Sequence, residues 1–183
     1  MNDKMRSCFK ALNSKDRNEQ FEAYSQIIEA IKEKVDWAYE VWDQLKEDLT
    51  SANNHKRSRA AQFLSHLAYS DPDKRIIDDF PRVWEVTKDH KFVTARHSLQ
   101  AIWRIGLAGD EQKKMVIEAL VERFLTCDNE KNDTLIRFDI IQGLRNLYDE
   151  LKEEEIKQLA LDLIEKEEDS KYKKKYVTVW KKV

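Results

Sequence analysis

The sequence predicts an all-α protein, and the prediction rests on three observations. Glycine and proline supply only 3 and 2 of the 183 residues, whereas together they make up about 12% of an average protein. Charged residues account for 37% of the chain and hydrophobic residues for 41%, a balance typical of amphipathic helices with solvated outer faces. Apolar residues also recur at helical spacing almost from end to end. At this length we expect a single domain.

Four short polar patterns predict where helices begin. Asp16 with Glu19 has the spacing of a capping box, and Asp71 with Pro72 is an N-cap followed by proline at the first helical position.

The other two patterns lie in the second half of the chain. Gly109 is expected to end one helix in a left-handed conformation before Asp110, which caps the next helix. Asn132, Asp133 and Thr134 form a polar triplet before an apolar run. Together with the periodicity, the four patterns predict about ten helices of about ten to eighteen residues.

The helices also show an internal repeat. The segments KRSRAAQFLSHLA, TARHSLQAIWRIG and IRFDIIQGLRNLY, which begin at Lys56, Thr94 and Ile136, superimpose without gaps and share a glutamine. The same frame fits around Gln26 and, less well, around Thr178. Because each of these helices follows another amphipathic helix, the sequence predicts five helix pairs. They span about residues 1–33, 34–70, 71–109, 110–150 and 151–183.

The third unit is similar to the HEAT repeats, a family of two-helix units. Pro81 lies inside its first helix, Asp89 follows eight residues later, and Ala95 with Arg96 opens its second helix. The resemblance implies a single HEAT-like domain over residues 1–183, a right-handed α-α superhelix of about five helix pairs with the second helices on its concave side. It also implies a ladder between neighbouring units, formed by the aspartate and a basic residue. That basic position holds Arg57, Arg137 and Lys173 in other units.

The shared glutamine lies opposite the apolar stripe of each second helix and is therefore predicted to face outward. Since the HEAT resemblance implies that the second helices lie on the concave side, the glutamines are expected to line a concave binding surface. The glutamine positions and their four helical neighbours comprise 25 residues with a net charge of +5, which leaves −7 on the other 158 residues. Such a surface fits an acidic peptide or, alternatively, a nucleic-acid strand. Charge segregation of this size also arises without function on a surface this rich in charge. The candidate partner-binding residues are Arg59, Gln62, His66, Arg96, His97, Gln100, Trp103, Arg104, Phe138, Asp139, Gln142 and Arg145.

Trp103 is the candidate aromatic anchor of this surface. It takes a position at which two other units have Ser65 and Arg145, and exposed large aromatic residues are favoured at interfaces. The alternative is a tryptophan folded over onto the neighbouring unit. Trp37, Trp42 and Trp84 lie among apolar residues at helical spacing and are predicted to be core residues.

Recognised motifs for catalysis, cofactors and metals do not occur in the sequence. Three glycines form neither a dinucleotide-binding nor a phosphate-binding loop. His66, His97 and Asp139 could approach each other on adjacent second helices, but they lack the spacing of a metal site. We therefore expect no cofactor and no metal. The polar start, the absence of an apolar run of about 18 residues and the lack of a disulfide framework, with only Cys8 and Cys127, favour a cytoplasmic protein without a membrane span.

These observations favour a non-catalytic HEAT-like scaffold that binds a protein or peptide on its concave surface. Two alternatives remain. Some DNA glycosylases that remove alkylated bases are similar in architecture, in which case Trp103, Asp139, Arg96 and Arg104 are the residues to test; the net charge of −2 gives no general reason for nucleic-acid binding. The other alternative is a helical bundle without a groove. Residues 152–169 carry net charge −5 and residues 170–183 carry +6, which predicts two terminal helices that neutralise each other.

Overall fold

A computed structural model describes residues 1–181, except the side chain of Asn129. Lys182 and Val183, which the repeat frame includes, lie outside the described residues. Across residues 1–181 the chain forms helices and no β-strand, which confirms the predicted all-α class. Ten α-helices are joined by turns and by short 3₁₀ segments. They are α1 (Asp3–Ala11), α2 (Arg17–Ala30), α3 (Ala38–Asp48), α4 (Asn54–Leu67), α5 (Arg75–Val86), α6 (Phe92–Ala101), α7 (Asp110–Thr126), α8 (Asp133–Leu151), α9 (Glu154–Glu165) and α10 (Ser170–Trp180).

The helices pack as consecutive pairs. In each of the pairs α1–α2, α3–α4, α5–α6, α7–α8 and α9–α10, the two helices contact each other. The second helices form a row in which α4 contacts α2 and α6, and α8 contacts α6 and α10. Within residues 1–181, elements of non-consecutive pairs make at most isolated contacts. One hydrophobic core nevertheless runs through the five pairs, from Met5 to Trp180.

Asp16 caps α2 as the sequence predicts. Its carboxylate accepts a hydrogen bond of 2.8 Å from the Asn18 N–H. The second half of the predicted capping box is wrong, because Glu19 accepts a hydrogen bond from the Ser14 hydroxyl rather than from the Asp16 N–H. The Asp16 N–H instead donates to Ser14 Oγ at 3.1 Å, so the serine takes the role expected of the glutamate.

Helix α5 begins later than predicted. Asp71 was expected to be its N-cap, but the first helical residue is Arg75. Lys74, just before it, has a left-handed backbone with φ 56°. Asp71 still caps the helix, because its Oδ2 accepts a hydrogen bond of 2.7 Å from the Ile76 N–H across the intervening turn. Because the capping carboxylate lies four residues before the first helical residue, α5 begins about one turn later than predicted.

The glycine of the Gly109–Asp110 pattern does not act as predicted. Gly109 is the N-cap of α7 and has φ 158° and ψ 174°, an extended conformation rather than a left-handed helical one. Asp110 is the first residue of α7 instead of its cap. The 3₁₀ segment Ile102–Leu107 therefore ends without a left-handed glycine. Helix α8 begins at Asp133, within the predicted polar triplet.

Two buried ion pairs at equivalent positions join consecutive helix pairs. Arg57 on α4 donates hydrogen bonds of 2.6 and 3.0 Å to the two carboxylate oxygens of Asp89. Arg137 on α8 donates at 3.2 Å to Glu167. Both arginines are 12% exposed and their acidic partners 5% and 6%. Each of the two junctions pairs an arginine of one helix pair with an acidic residue of the next.

The last helix pair contains little direct charge pairing. In the part of the chain that the structure describes, one ion pair joins residues 152–169 to the basic helix α10, between Lys173 Nζ and Glu165 at 2.7 Å. Lys175 instead places its Nζ 4.8 Å from the ring centroid of Phe138 on α8. The predicted neutralisation of the two terminal helices therefore involves a single contact, and most of the α10 lysines are solvated.

Candidate functional site

Helices α2, α4 and α6 and the 3₁₀ segment Ile102–Leu107 line an open polar cavity of about 380 Å³. Exposed His97 and Gln100 lie at its rim, and its deeper residues are half-buried or buried. We call it the Arg104 cavity. Its lining residues are Tyr24, Gln62, His66, His97, Gln100, Ala101, Trp103 and Arg104. The structure thus brings together six of the twelve residues that the sequence singled out.

The cavity's two glutamines are held by hydrogen bonds within the protein. Gln62 accepts a hydrogen bond of 2.6 Å from the Tyr24 hydroxyl, and its amide nitrogen donates to the carbonyl oxygen of Ser58 at 3.0 Å. Gln100 donates at 3.0 Å to Asp139 on α8. Gln62 is only 9% exposed. The prediction that the glutamine points outward is therefore wrong for Gln62, because the Tyr24 hydroxyl and α4 itself satisfy its amide.

Of the two alternatives for Trp103, the structure shows the buried one, in which the side chain folds onto the neighbouring helix pair. Trp103 is 7% exposed and packs against α8 at Gly143, where an added Cβ would lie 3.7 Å from the Trp103 Cβ. Its burial comes from this contact with the next helix pair, and the segment that carries it, Ile102–Leu107, is a 3₁₀ helix. Trp103 instead supports Arg104, whose guanidinium lies 4.6 Å from the indole centroid.

Two basic side chains in the Arg104 cavity are poorly solvated. Burial lowers the pKa of the Arg104 guanidinium, and no hydrogen bond or ion pair joins it to another described residue. Burial likewise lowers the pKa of His66 to about 3, with further contributions from the nearby charges of Arg104 and Lys32. His66 is therefore neutral at pH 7, and its Nδ1 is buried without a hydrogen-bond partner.

Arg96 and Asp139 do not line the Arg104 cavity and are paired with each other. Arg96 donates two hydrogen bonds to the Asp139 carboxylate, at 2.7 and 3.2 Å, and this pairing raises the pKa of Arg96. Asp139 is 3% exposed and accepts the third bond from Gln100. The expectation that both residues belong to the binding surface is corrected: they form a junction between α6 and α8. A carboxylate engaged in this way has no free oxygen to offer a ligand.

The remaining predicted residues lie elsewhere. Arg59 donates at 2.9 Å to the Leu12 carbonyl oxygen and lines a separate cavity of about 380 Å³ beside α1 and α3. Phe138 and Gln142 are half-buried on α8, away from the Arg104 cavity. Arg145 donates at 2.9 Å to Asp149 and at 2.9 Å to the Val179 carbonyl oxygen, so it fastens α8 to α10.

No protein-family model and no curated protein matches this chain. Within residues 1–181, no group of three or more histidine, cysteine, aspartate or glutamate side chains is arranged to hold a metal ion. None of the described helices combines the length and the apolar character needed to cross a membrane. The chemistry of the Arg104 cavity is therefore argued from its own side chains.

Sequence reasoning missed Tyr24, which is central to the cavity. Tyr24 lies two positions before Gln26, on the side of α2 that was predicted to be core. A tyrosine at a core position needs a partner for its hydroxyl, and the homologous frame on α4 offers Gln62. The need of the Tyr24 hydroxyl for a hydrogen-bond partner could therefore have indicated its contact with Gln62 from the sequence. Burial raises the pKa of Tyr24, so it remains a neutral donor.

Proposed function

We propose that this protein is a non-catalytic scaffold, built as a HEAT-like right-handed superhelix of five helix pairs. We propose further that it binds an acidic peptide segment of a partner protein on the surface formed by its second helices. The Arg104 cavity carries this proposal, since it places an unpaired, half-buried cation between polar groups on that surface. A buried charge without a partner costs folding free energy. A binding role accounts for that cost.

The contact pattern supports the stacked architecture. Helix pairs contact their sequence neighbours, as expected where each unit buries its remaining apolar face on the next. The accessible surface is 10188 Å² for a chain of 21.8 kDa, whereas a compact monomer of that mass exposes about 9300 Å². An accessible surface larger than that of a compact monomer fits a row of helix pairs better than a closed bundle.

The charges of the second helices support an acidic partner. Beyond Arg104, the same row ends in α10, where Lys174 and Lys175 are exposed and form no ion pair with another described residue. Arg96 and Arg145, by contrast, are neutralised by Asp139 and Asp149. The available positive charge therefore lies at the Arg104 cavity and on α10. Positive patches of this kind accelerate association with acidic segments and disfavour the binding of basic segments.

Selection from a random peptide library on the immobilised protein tests the function. We expect acidic sequences to be enriched at low salt, and the enrichment to weaken as salt rises. The variant Arg104→Gln should lose it. Arg82→Gln is the matched control, because Arg82 is exposed on α5, a first helix, and donates only to the Lys46 carbonyl oxygen.

Two results would contradict the proposal. One is an enriched population that is not acidic, or that is the same for the protein and for Arg104→Gln. The other is salt-sensitive retention of single-stranded DNA that disappears in Arg104→Gln while no peptide is enriched. That second result would support the nucleic-acid alternative.

A further inference from the structure

Arg104 differs from the other arginines that are not fully exposed. Of the arginines in residues 1–181 that are buried or half-buried, it alone has neither a hydrogen bond nor an ion pair. Arg57, Arg96 and Arg137 are all held by carboxylates. Its five N–H donors are therefore free to meet a ligand at the Arg104 cavity.

A second unsatisfied group lies in the same cavity. His66 Nδ1 is buried and has no hydrogen-bond partner, and His66 and Arg104 line the same cavity. Buried polar atoms are nearly always hydrogen-bonded in proteins. Because that nitrogen has no solvent contact, a ligand in the cavity meets the unpaired Arg104 guanidinium, with the neutral imidazole beside it.

The walls of the cavity are already fixed. Gln62 is held by Tyr24 and Ser58, and Gln100 is held by Asp139. The Trp103 indole lies against the Arg104 guanidinium, which limits the directions in which the guanidinium can turn. A preorganised site loses little side-chain entropy when its ligand binds.

We propose that the Arg104 cavity binds a single carboxylate, that of an aspartate or glutamate side chain in the acidic partner segment. Arg104 donates two parallel hydrogen bonds to its oxygens, beside the neutral imidazole of His66. The inference rests on the proposed function, because it names the group by which the partner segment is recognised.

The charge of the site favours a carboxylate over a phosphate monoester. His66 is neutral, and Lys32 is paired with Glu29 at 2.5 Å. The cavity therefore offers one full positive charge, that of Arg104, which matches the single charge of a carboxylate. A phosphate monoester carries about −1.5 to −2 at neutral pH and would leave part of that charge uncompensated.

Binding should couple to the protonation of His66. The groups that face His66 are Arg104, Lys32, His97 and Tyr24, and Glu33 and Glu150 act on Arg104 from farther away. A bound carboxylate adds a negative charge beside the imidazole and raises its pKa. The complex should therefore take up protons, and its affinity should increase as the pH falls from 7 to 5.

The test uses three capped tripeptides that differ at one side chain: acetyl-Gly-Glu-Gly-amide, acetyl-Gly-Gln-Gly-amide and acetyl-Gly-phosphoSer-Gly-amide. Binding is followed by the imidazole NMR signals of His66 and His97 in the full chain. We expect the Glu peptide to shift His66 and the Gln peptide to leave it unchanged. Arg104→Gln should weaken Glu-peptide binding about tenfold or more, the effect of losing charge-assisted hydrogen bonds. Arg82→Gln should bind as the unmodified protein does, and far-UV circular dichroism confirms that each variant is folded.

Three outcomes overturn the inference. The first is an unchanged His66 signal on addition of the Glu peptide, and the second is equal binding by Arg104→Gln. The third is tighter binding of the phosphoserine peptide. If any of these occurs while the library still yields acidic peptides whose enrichment is lost in Arg104→Gln, the proposed function survives and the carboxylate site does not. If the library also yields no acidic peptides, both fall.

Discussion

At the scale of single residues, Arg104 lowers the stability of the fold but keeps a positive charge available for binding. Its guanidinium is half-buried without an ion pair, and it is compensated by the Trp103 ring and by the more distant charges of Glu150 and Glu33. Arg123, which is 5% exposed, is the opposite case, because it donates hydrogen bonds of 2.8 and 2.7 Å to the carbonyl and hydroxyl oxygens of Thr87. The two arginines therefore make different contributions to folding.

Substitution of these arginines separates the two roles. For Arg104→Gln we expect a free energy of unfolding within about 1 kcal/mol of the unmodified protein, since relief of the desolvation offsets a lost cation–π contact. Arg123→Gln should cost about 1–3 kcal/mol, because it leaves the Thr87 acceptors unsatisfied. Urea unfolding measures both. A loss for Arg104→Gln as large as that for Arg123→Gln would show that Arg104 is a structural residue.

His66 makes the stability depend on pH. Its pKa is about 3 in the folded protein and about 6.5 in the unfolded chain, so the unfolded chain binds the proton more tightly between these values. The stabilisation is complete above pH 6.5 and is lost as the pH falls toward 3. Allowing for the partial exposure of the side chain, we expect the free energy of unfolding to drop between pH 7 and 4.5 by about 1–2 kcal/mol more than in His66→Gln. Urea unfolding at both pH values measures the difference, and parallel pH dependences would contradict it.

At the scale of helices, the ion pair between Arg57 and Asp89 joins α4 to the end of α5. Its carboxylate also accepts from the Lys91 N–H at 2.8 Å, in the turn just before α6. Arginine hydrogen bonds and the local N–H bond lower the pKa of Asp89 despite its burial. One carboxylate thus joins α4 to the turn between α5 and α6.

Neutralising Asp89 should destabilise this junction. We expect Asp89→Asn to cost about 1–3 kcal/mol, because it leaves the buried Arg57 charge without its partner. Glu111→Gln is the matched control: Glu111 pairs with Lys74 at 3.0 Å, but both side chains are about 60% exposed. That change should cost at most about 0.5 kcal/mol. Equal thermal shifts for the two variants would show that the buried pair contributes no more than the exposed one.

The helices themselves were largely predictable from the sequence, whereas the cavity was predictable only in part. Periodicity follows from which residues each helix buries, so the ten helices and the start of α2 could be placed. The burial of Trp103 could be given only as one of two alternatives, because it depends on a contact with α8 in the next helix pair. The pairing of Arg96 with Asp139 bridges two repeat units and has no signal within either one.

At the scale of the whole molecule, contacts between consecutive pairs predict local rather than global unfolding. Ile164→Ala removes a buried side chain of α9 that is 1% exposed, and should locally cost about 2–5 kcal/mol. We expect faster amide hydrogen exchange in α8, α9 and α10 and unchanged exchange in α3. Leu64→Ala, in α4 of the second pair, is the matched variant. It should accelerate amide hydrogen exchange in the neighbouring helices of both the first and the third pair. Faster exchange throughout the chain in Ile164→Ala would indicate a single cooperative bundle.

The tightened segment Ile102–Leu107 shows how a repeat can acquire a distinct site while its length stays the same. Each residue of such a segment gains about 20° of rotation over an ordinary helical residue, so the third residue, Arg104, is turned by about 60°. One repeat can thereby aim a charged group where its neighbours aim none. Substitutions that restore ordinary helical winding would rotate Arg104 away from its present direction in the cavity, and would thus tune recognition with no change of a contacting side chain.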